Sequence, residues 1–347
     1  MPHPKYGKTA ALLNSGGCIE GPPQAKQIEM LQEAGITFDY IICNSVGAWN
    51  GVRPDMAWRI WRTHITSPEA IWDYGLEIKA LRSAIESIPH EPFRHPVAFV
   101  KFLLRAFENR PRIWSAGSST SDFSKLTDTF LALAKIYGLT DMQSFFTLDP
   151  LVKTLKQHLD LSNFFTQNTK VHILARSIET GKEHIFSNKE EDEAKGENFH
   201  YIKSVDEIFL AAKASTALRL IFPPVEIRGN LYCDAGDGNP LPIDYAFDES
   251  CDTIFVFTRE YKYSRGRDPL HIHFETSEIS LINFFHHLKH AATVRARKEV
   301  QKLFFITPQY PLHPDYWLLG VSEAALEHTE KVETEAMQKW ISDNLVI

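Results

Sequence analysis

Cysteine is scarce in this chain and nowhere gathered: four residues stand at 18, 43, 233 and 251, with no CxxC pair and no zinc-finger spacing. That excludes a disulfide scaffold and implies free thiols in a reducing, intracellular compartment. Long apolar runs are missing too. The longest, around Val97 to Phe107, is broken by Lys101 and Arg105, so nothing approaches the ~20 apolar residues that span a bilayer. At the amino terminus only Thr9 to Leu13 is apolar before Gly16 and Gly17, too short for a signal-peptide core. A basic block is absent: 37 Lys and Arg are dispersed among 44 Asp and Glu, for a net charge of −7, which removes the electrostatic footprint of a nucleic-acid binder. No Walker GxxxxGK[ST], no GxGxxG and no internal repeat occurs, so nucleotide chemistry has no support. The expectations are a cytoplasmic protein without cofactor, metal, nucleic-acid partner or transmembrane segment, with peripheral contact at a membrane surface left open.

What is present is an ordinary globular balance, 44% hydrophobic and 23% charged over 347 residues. A chain of this size buries roughly 75% of the surface its unfolded form exposes. Apolar β-type runs (TAALLN, DYIIC, VHILA, TIFVF, KLFFIT) alternate with helix-period segments, the signature of an α/β sandwich with a mostly parallel central sheet. A first helix over Gln24 to Ala34 puts Ile28, Leu31 and Ala34 on one face and ends at Gly35, a left-handed cap. About 54–149 reads as an inserted helical region, with a Ser/Thr-rich break at 117–121. The run KEEDEAKGE at 189–197 reads as a solvated loop. An amphipathic helix around Ser322 to Ile341 closes the chain and is expected to dock on the sheet.

The sharpest chemical feature is Cys43-Asn44-Ser45-Val46-Gly47, which follows an apolar strand and precedes a helical pattern. A serine on a tight strand-to-helix turn exposes its Oγ at the carboxyl edge of a sheet, where helix amides can meet an oxyanion. Small residues must flank it so that strand and helix can approach. Gly47 meets that demand and Cys43 meets it in part. Upstream, Asn14-Ser15-Gly16-Gly17-Cys18 follows the first strand and opens the first helix, a candidate oxyanion loop or a simple turn. Downstream, Cys233-Asp234-Ala235-Gly236-Asp237-Gly238-Asn239-Pro240 sets an aspartate at the end of an apolar run before a glycine-rich turn. An EF-hand reading of it fails, because position 12 of such a loop is Tyr245 rather than glutamate.

The order and content of these motifs resemble the patatin-like phospholipase family, especially its bacterial intracellular members. The resemblance covers SGGCIEG through EAGI, the elbow CNSVGAWNG, RSIETGKEHIF, AKASTALRLIFPPV and CDAGDGNPLP. It implies a three-layer α/β/α patatin-like fold and a lipid acyl hydrolase, phospholipase A-like, working through an acyl-enzyme. By the resemblance, Ser45 is the nucleophile and Asp234 accepts its proton. Gly16, Gly17 and Cys18 form the oxyanion hole, Cys43, Asn44, Val46 and Gly47 the elbow, and Ala235 and Gly236 the turn beside the aspartate. Residues 1–310 form the catalytic domain and 311–347 a helical extension packed on it. The implied partner is a lipid or other acyl ester.

The chain departs from the family pattern where Cys18 replaces a glycine, Glu20 a basic residue, Cys43 the first elbow glycine and Arg219 a proline. Glu20 is expected to point outward into solvent from the first turn of its helix; turned inward it would disfavour a developing negative charge. These departures motivate an alternative, a weak or inactive patatin-like protein acting by lipid or protein binding. Cys18, Cys43 and Cys233 are read as tight packing rather than a metal or redox site, and His271, His273, His286, His287 and His290 as surface or packing residues. The basic amphipathic stretch Val97 to Trp114 is read as a packed helix, with a membrane-surface lid as the other reading.

Overall fold

The computed structural model describes residues 5–13, 17–74, 144, 146–219, 221–236, 238–239, 241–258, 287–299, 301–309 and 321–345. Gly16, Val97 to Trp114, His271, His273 and His286 lie outside them. The chain divides into two compact units, one of Met1–Asp73, Leu148–Tyr261 and Leu281–Ile347, the other of Tyr74–Thr147 and Lys262–Ser280. Nearly all of the second lies outside the described residues.

The first unit is built on a nine-stranded sheet. Its strands are β1 (Thr9–Leu13), β2 (Tyr40–Cys43), β3 (Lys170–Ser177), β4 (Glu183–Ser187), β5 (Phe199–Tyr201), β6 (Val225–Ile227), β7 (Asn230–Asp234), β8 (Thr253–Phe257) and β9 (Lys302–Ile306). The order across the sheet is β9-β8-β1-β2-β3-β4-β5, with β7 on β3 and β6 on β7. The central pairs β9–β8, β8–β1, β1–β2 and β2–β3 are parallel. Every residue of β1, β2 and β8 is buried, the property of parallel strands covered on both faces, which is why they read as continuous apolar runs. The α/β sandwich with a mostly parallel sheet is therefore as expected.

Helices cover both faces. On one lie α6 (Asp244–Asp248) and α7 (287–299): Ala246, Phe247, Ala292 and Ala296 share one core with Leu12, Ile42, Leu174, Ile254 and Val256. On the other lie α1 (Gly17–Glu33), α2 (Val46–Val52) and α5 (Val205–Ser215). The helix α1 ends before Gly35, whose φ of +84° gives the expected left-handed stop, and Ile28 and Leu31 on its inner face are fully buried. It starts at Gly17 rather than Gln24 and runs through Pro22 and Pro23. Two short helices, α3 (Ala57–His64) and α4 (Asp149–His158), fall within and beside the expected 54–149 insertion and belong to the first unit. The last helix, α8 (Glu323–Asn344), is capped by Ser322, whose side chain accepts from the Ala325 N–H. It docks on α1 through Gln27 Nε2 to Glu333 Oε2 at 2.8 Å, and Trp340 meets Phe304 of β9 edge-on.

The acidic run 189–197 is exposed along most of its length, as expected, but it is neither irregular nor wholly solvated. Glu190–Lys195 form a short 3-10 helix whose Asp192 is fully buried. Asp192 accepts from Ser187 Oγ (2.5 Å) and Lys170 Nζ (3.1 Å), and pairs with His172 Nε2 at 2.7 Å. Burial alone would raise this carboxyl, but hydrogen bonds from His172, Ser187 and Lys195 outweigh it and hold it well below the usual range. Burial lowers His172, so the ring is neutral: Nε2–H donates to Asp192 and Nδ1 faces the Tyr40 hydroxyl. Composition pointed to water; four specific partners pulled one carboxylate inside.

Candidate active site

Ser45 stands between β2 and α2 with φ 51° and ψ −131°. For a residue bearing a Cβ this lies outside the populated regions and costs about 1–3 kcal/mol, a strain that persists only when the surroundings impose it. Here they do. The Asn44 N–H donates to Leu13 O (3.1 Å), the Gly47 N–H to Asn44 O (3.0 Å) and the Ala48 N–H to Ser45 O (2.9 Å). A Cβ on Gly47 would stand 2.1 Å from the Leu13 carbonyl oxygen, so α2 reaches β1 only because that position is glycine. Cys43 occupies the usual glycine place without conflict. Its side chain is fully buried, its thiol donates to His172 O at 3.2 Å, and Gly51 leaves it room, a Cβ there coming within 3.0 Å of Sγ.

The aspartate reaches the same place by a different route. Strand β3 is longer than β2, and one of its edges serves two partners in succession. Cys43 of β2 lies opposite Ile173 in parallel register, and Asp234 of antiparallel β7 lies opposite Ala175. The two strands thus meet end to end, with their last residues about 7 Å apart along β3 at the usual strand rise. Ser45 is 3% exposed and Asp234 fully buried.

The end of α5 locks both strand ends at once. Ser215 Oγ accepts the Ser45 N–H (2.9 Å), and Ala217 O accepts the Asp234 N–H (3.0 Å). Between them, Thr216 Oγ1 accepts from Trp49 Nε1 of α2 (3.1 Å). On the far side of Asp234 a tight turn forms, Gly238 and Asn239 N–H both donating to Ala235 O (3.1 Å each). Within it the Gly236 N–H donates to Asp234 Oδ1 at 2.7 Å, and Asn44 Nδ2 donates to Asn239 O at 3.1 Å. These ties from Ser215, Ala217 and Asn239 were missed in the sequence. The signal for the first two was the segment AKASTALRLIFPPV, which carried a resemblance but no assigned role.

Of the expected oxyanion residues, Gly17 and Cys18 form the first turn of α1, whose leading N–H groups have no partner within the helix. That end of α1 abuts the elbow helix: a Cβ on Gly21 would meet Val46 Cγ2 at 2.6 Å and Trp61 Cζ2 at 2.7 Å. The outward, solvated Glu20 expected from residue type is overturned, because Glu20 is only 2% exposed. Residues 20–28 of α1 are all buried, so this part of the helix has no solvent side for Glu20 to face.

One histidine shares the sheet row of the aspartate. His184 of β4 lies opposite Ala175, on the other edge of β3 from Asp234. Its Nδ1 is committed to His200 Nε2 at 2.7 Å, and burial, then the neighbouring His184 and Arg228, push His200 down to about 4. Among the described residues no group of three His, Cys, Asp or Glu is arranged to hold a metal ion. Burial pushes the Cys43 thiol up and Cys251 to about 12, so neither is a ready thiolate. Among the described residues no helix is long and apolar enough to cross a membrane.

No curated protein matches the chain. Among solved structures, the crystal structure of VipD from Legionella pneumophila is similar over 97% of this chain and 68% of that one, at 13% identity and a TM-score of 0.37. That likeness is too loose to bear on the site. The family model described as patatin-like phospholipase matches residues 12–247, a span that runs from the end of β1 through the elbow, α5 and the turn after Asp234. The chain belongs to the patatin-like phospholipase family of lipid acyl hydrolases.

Proposed function

We propose that the chain is a serine acyl-ester hydrolase of the phospholipase A type, with Ser45 as nucleophile and Asp234 as its proton acceptor. The observation that carries the reading is the end-to-end meeting of β2 and β7 along one edge of β3, which brings a strained serine and a buried aspartate to one gap. A serine hydroxyl is a weak nucleophile until a neighbour takes its proton, and a carboxylate in a water-poor site can do so without histidine. In this reading Ser45 Oγ attacks the ester carbonyl carbon as its proton passes to Asp234, and the carbonyl electrons move onto oxygen. The same reading assigns that oxyanion to the amides of Gly16, Gly17 and Cys18, favoured by the positive end of α1. Collapse expels the alcohol, which leaves with the proton from Asp234. Water then gives a proton to Asp234, attacks the acyl carbon and releases the fatty acid, restoring the serine hydroxyl.

The surrounding residues take supporting roles. Cys43, Asn44, Val46 and Gly47 hold the elbow, while Ala235 and Gly236 orient the carboxylate. Residues 1–310 are taken as the catalytic domain and 311–347 as its helical extension, a division supported by the seat of α8 on α1.

The buried position of Glu20 favours a second reading, a weak or inactive member that binds lipid or protein, since a carboxylate in the first turn of α1 opposes an oxyanion nearby. Intact-protein mass after fluorophosphonate treatment, on wild type and Ser45→Ala, separates the two. A single adduct that disappears in the variant is expected; a well-folded wild type that takes no adduct refutes the nucleophile and leaves the binding reading. Glu20→Gln should raise the labelling rate if its charge suppresses the site.

A further inference from the structure

We infer that Glu183 is a positioning residue for the Ser45–Asp234 pair, acting through Asn239; the inference rests on the serine–aspartate reading above. Glu183 begins β4 and lies opposite Arg176 of β3. Its Oε1 accepts from Asn239 Nδ2 (3.2 Å) and from the Tyr245 hydroxyl (2.6 Å). Asn239 in turn offers its backbone carbonyl to Asn44 Nδ2, and Asn44 immediately precedes Ser45. The same turn carries Gly236, whose N–H holds Asp234 Oδ1. One side chain outside the gap is therefore connected to both members of the pair.

Arg176 completes the clamp. A Cβ on Gly238 would fall 1.7 Å from its Nη2, so the guanidinium lies directly against the turn, with Nη1 donating to Gly181 O at 2.8 Å. The turn after Asp234 is gripped from outside by the cross-strand pair Arg176–Glu183 and from inside by Asn44. Burial raises the Glu183 carboxyl, countered by the Tyr245 and Asn239 hydrogen bonds; a carboxylate kept in such a place is held there by specific partners. When the Asn239 amide loses its acceptor, the turn relaxes and both the aspartate and the elbow lose their register. A displacement on the order of 1 Å at reacting atoms costs about 100-fold in rate.

The test compares Glu183→Ala, Asn239→Ala, their double variant and Glu183→Gln, reading the second-order rate of fluorophosphonate labelling at Ser45, kcat and KM on a p-nitrophenyl acyl ester, and thermal midpoint. Glu183→Ala and Asn239→Ala should each slow labelling and lower kcat by about 10- to 100-fold with KM within about twofold. The double variant should be no slower than the worse single variant, because both cut one chain of contacts. Glu183→Gln keeps the acceptor oxygen and should stay within about threefold of wild type. Labelling of Asn239→Ala at the wild-type rate, multiplying losses in the double variant, or a loss confined to KM would each overturn the inference, and Asn239→Ala with Glu183→Gln decides it if Glu183→Ala does not fold. A wild type that takes no label overturns the serine–aspartate reading itself and this inference with it, whereas a labelled wild type with unaffected variants overturns this inference alone.

Discussion

Gly47→Ala places a methyl group 2.1 Å from the Leu13 carbonyl oxygen, 2.6 Å from its carbon and 2.9 Å from Leu13 Cβ. Relief needs more than about 1 Å of movement, since an ordinary contact is about 3.5 Å. Leu13 cannot recoil: it is registered with Phe257 on one side and Cys43 on the other, in the middle of the sheet. The helix must therefore move, taking Ser45 with it. Overpacking of this kind costs about 1–3 kcal/mol; the upper end applies because the opposing atoms are backbone. With an unfolding entropy of about 0.7 kcal/mol/K for a chain this long, ~3 kcal/mol lowers the thermal midpoint by about 4 °C. Shifting the serine by about 1 Å also slows fluorophosphonate labelling about 100-fold. Gly51→Ala is the control one turn later: its methyl meets side-chain atoms of Cys43 and Ile41 at 3.0 and 3.1 Å, and alanine's helix propensity offsets much of that crowding. Melting by calorimetry and labelling by mass spectrometry should rank Gly47→Ala far below wild type and Gly51→Ala near it. A Gly47→Ala protein that melts within 1 °C of wild type and labels at its rate refutes the argument.

Other expectations follow from the same geometry. Ser45→Ala and Asp234→Asn should each abolish nearly all ester hydrolysis while changing stability by no more than about 1 kcal/mol, measured by urea unfolding; retained turnover in either sinks the dyad. Ser45→Gly should be more stable than Ser45→Ala by about 1 kcal/mol, because φ 51° with ψ −131° is open to glycine and strained for alanine. Burial raises Glu333 from 4.5 to about 7, against hydrogen bonds from Gln309 and Gln27. The folded state then holds a proton that the unfolded chain has lost, so this group reduces stability as pH rises from about 4.5 to 7, by up to about 1.4 kcal/mol per pH unit. His200, lowered to about 4, acts oppositely: its contribution is lost as pH falls from about 6.5 to 4. The difference between wild-type and Glu333→Gln stability curves isolates the first effect, and parallel curves contradict it.

The parts of this fold that were legible are those governed by one strong rule. Strands β1, β2 and β8 announced themselves as apolar runs because they are buried on both faces, the half-buried edge strand β9 by its run KLFFI, and α8 by its serine cap and amphipathic face. The elbow was legible through its company: a serine between a strand and a glycine is more often a plain cap or turn, but here it stands in order with the loop before it and the aspartate turn after it. Less visible was the short hairpin β6–β7, where the exposed Leu231 breaks the buried pattern, and with it the antiparallel register that sets Asp234 against Ala175. Long-range pairing leaves no local trace. Glu20, Asp192 and Glu183 escaped for a shared reason: residue type predicts solvent for a carboxylate, and only the tertiary neighbours reverse that default. The ties from Ser215 and Ala217 were hidden because backbone and hydroxyl partners carry almost no sequence signature.

The head-on meeting of β2 and β7 also sets a clock. The serine and the aspartate are separated by about 190 residues, and neither is adjacent to the other except along β3. A ribosome adding about 5–20 residues per second makes the elbow some 10–40 s before the aspartate is even polymerised. Until then the nascent chain carries the proposed nucleophile without its proposed proton acceptor, and afterwards it still has to close a non-local antiparallel pairing, the slow class of contact. In the serine–aspartate reading proposed above, the nascent chain is therefore inert toward esters until β7 has been made and paired, and any fragment ending short of β7 stays so.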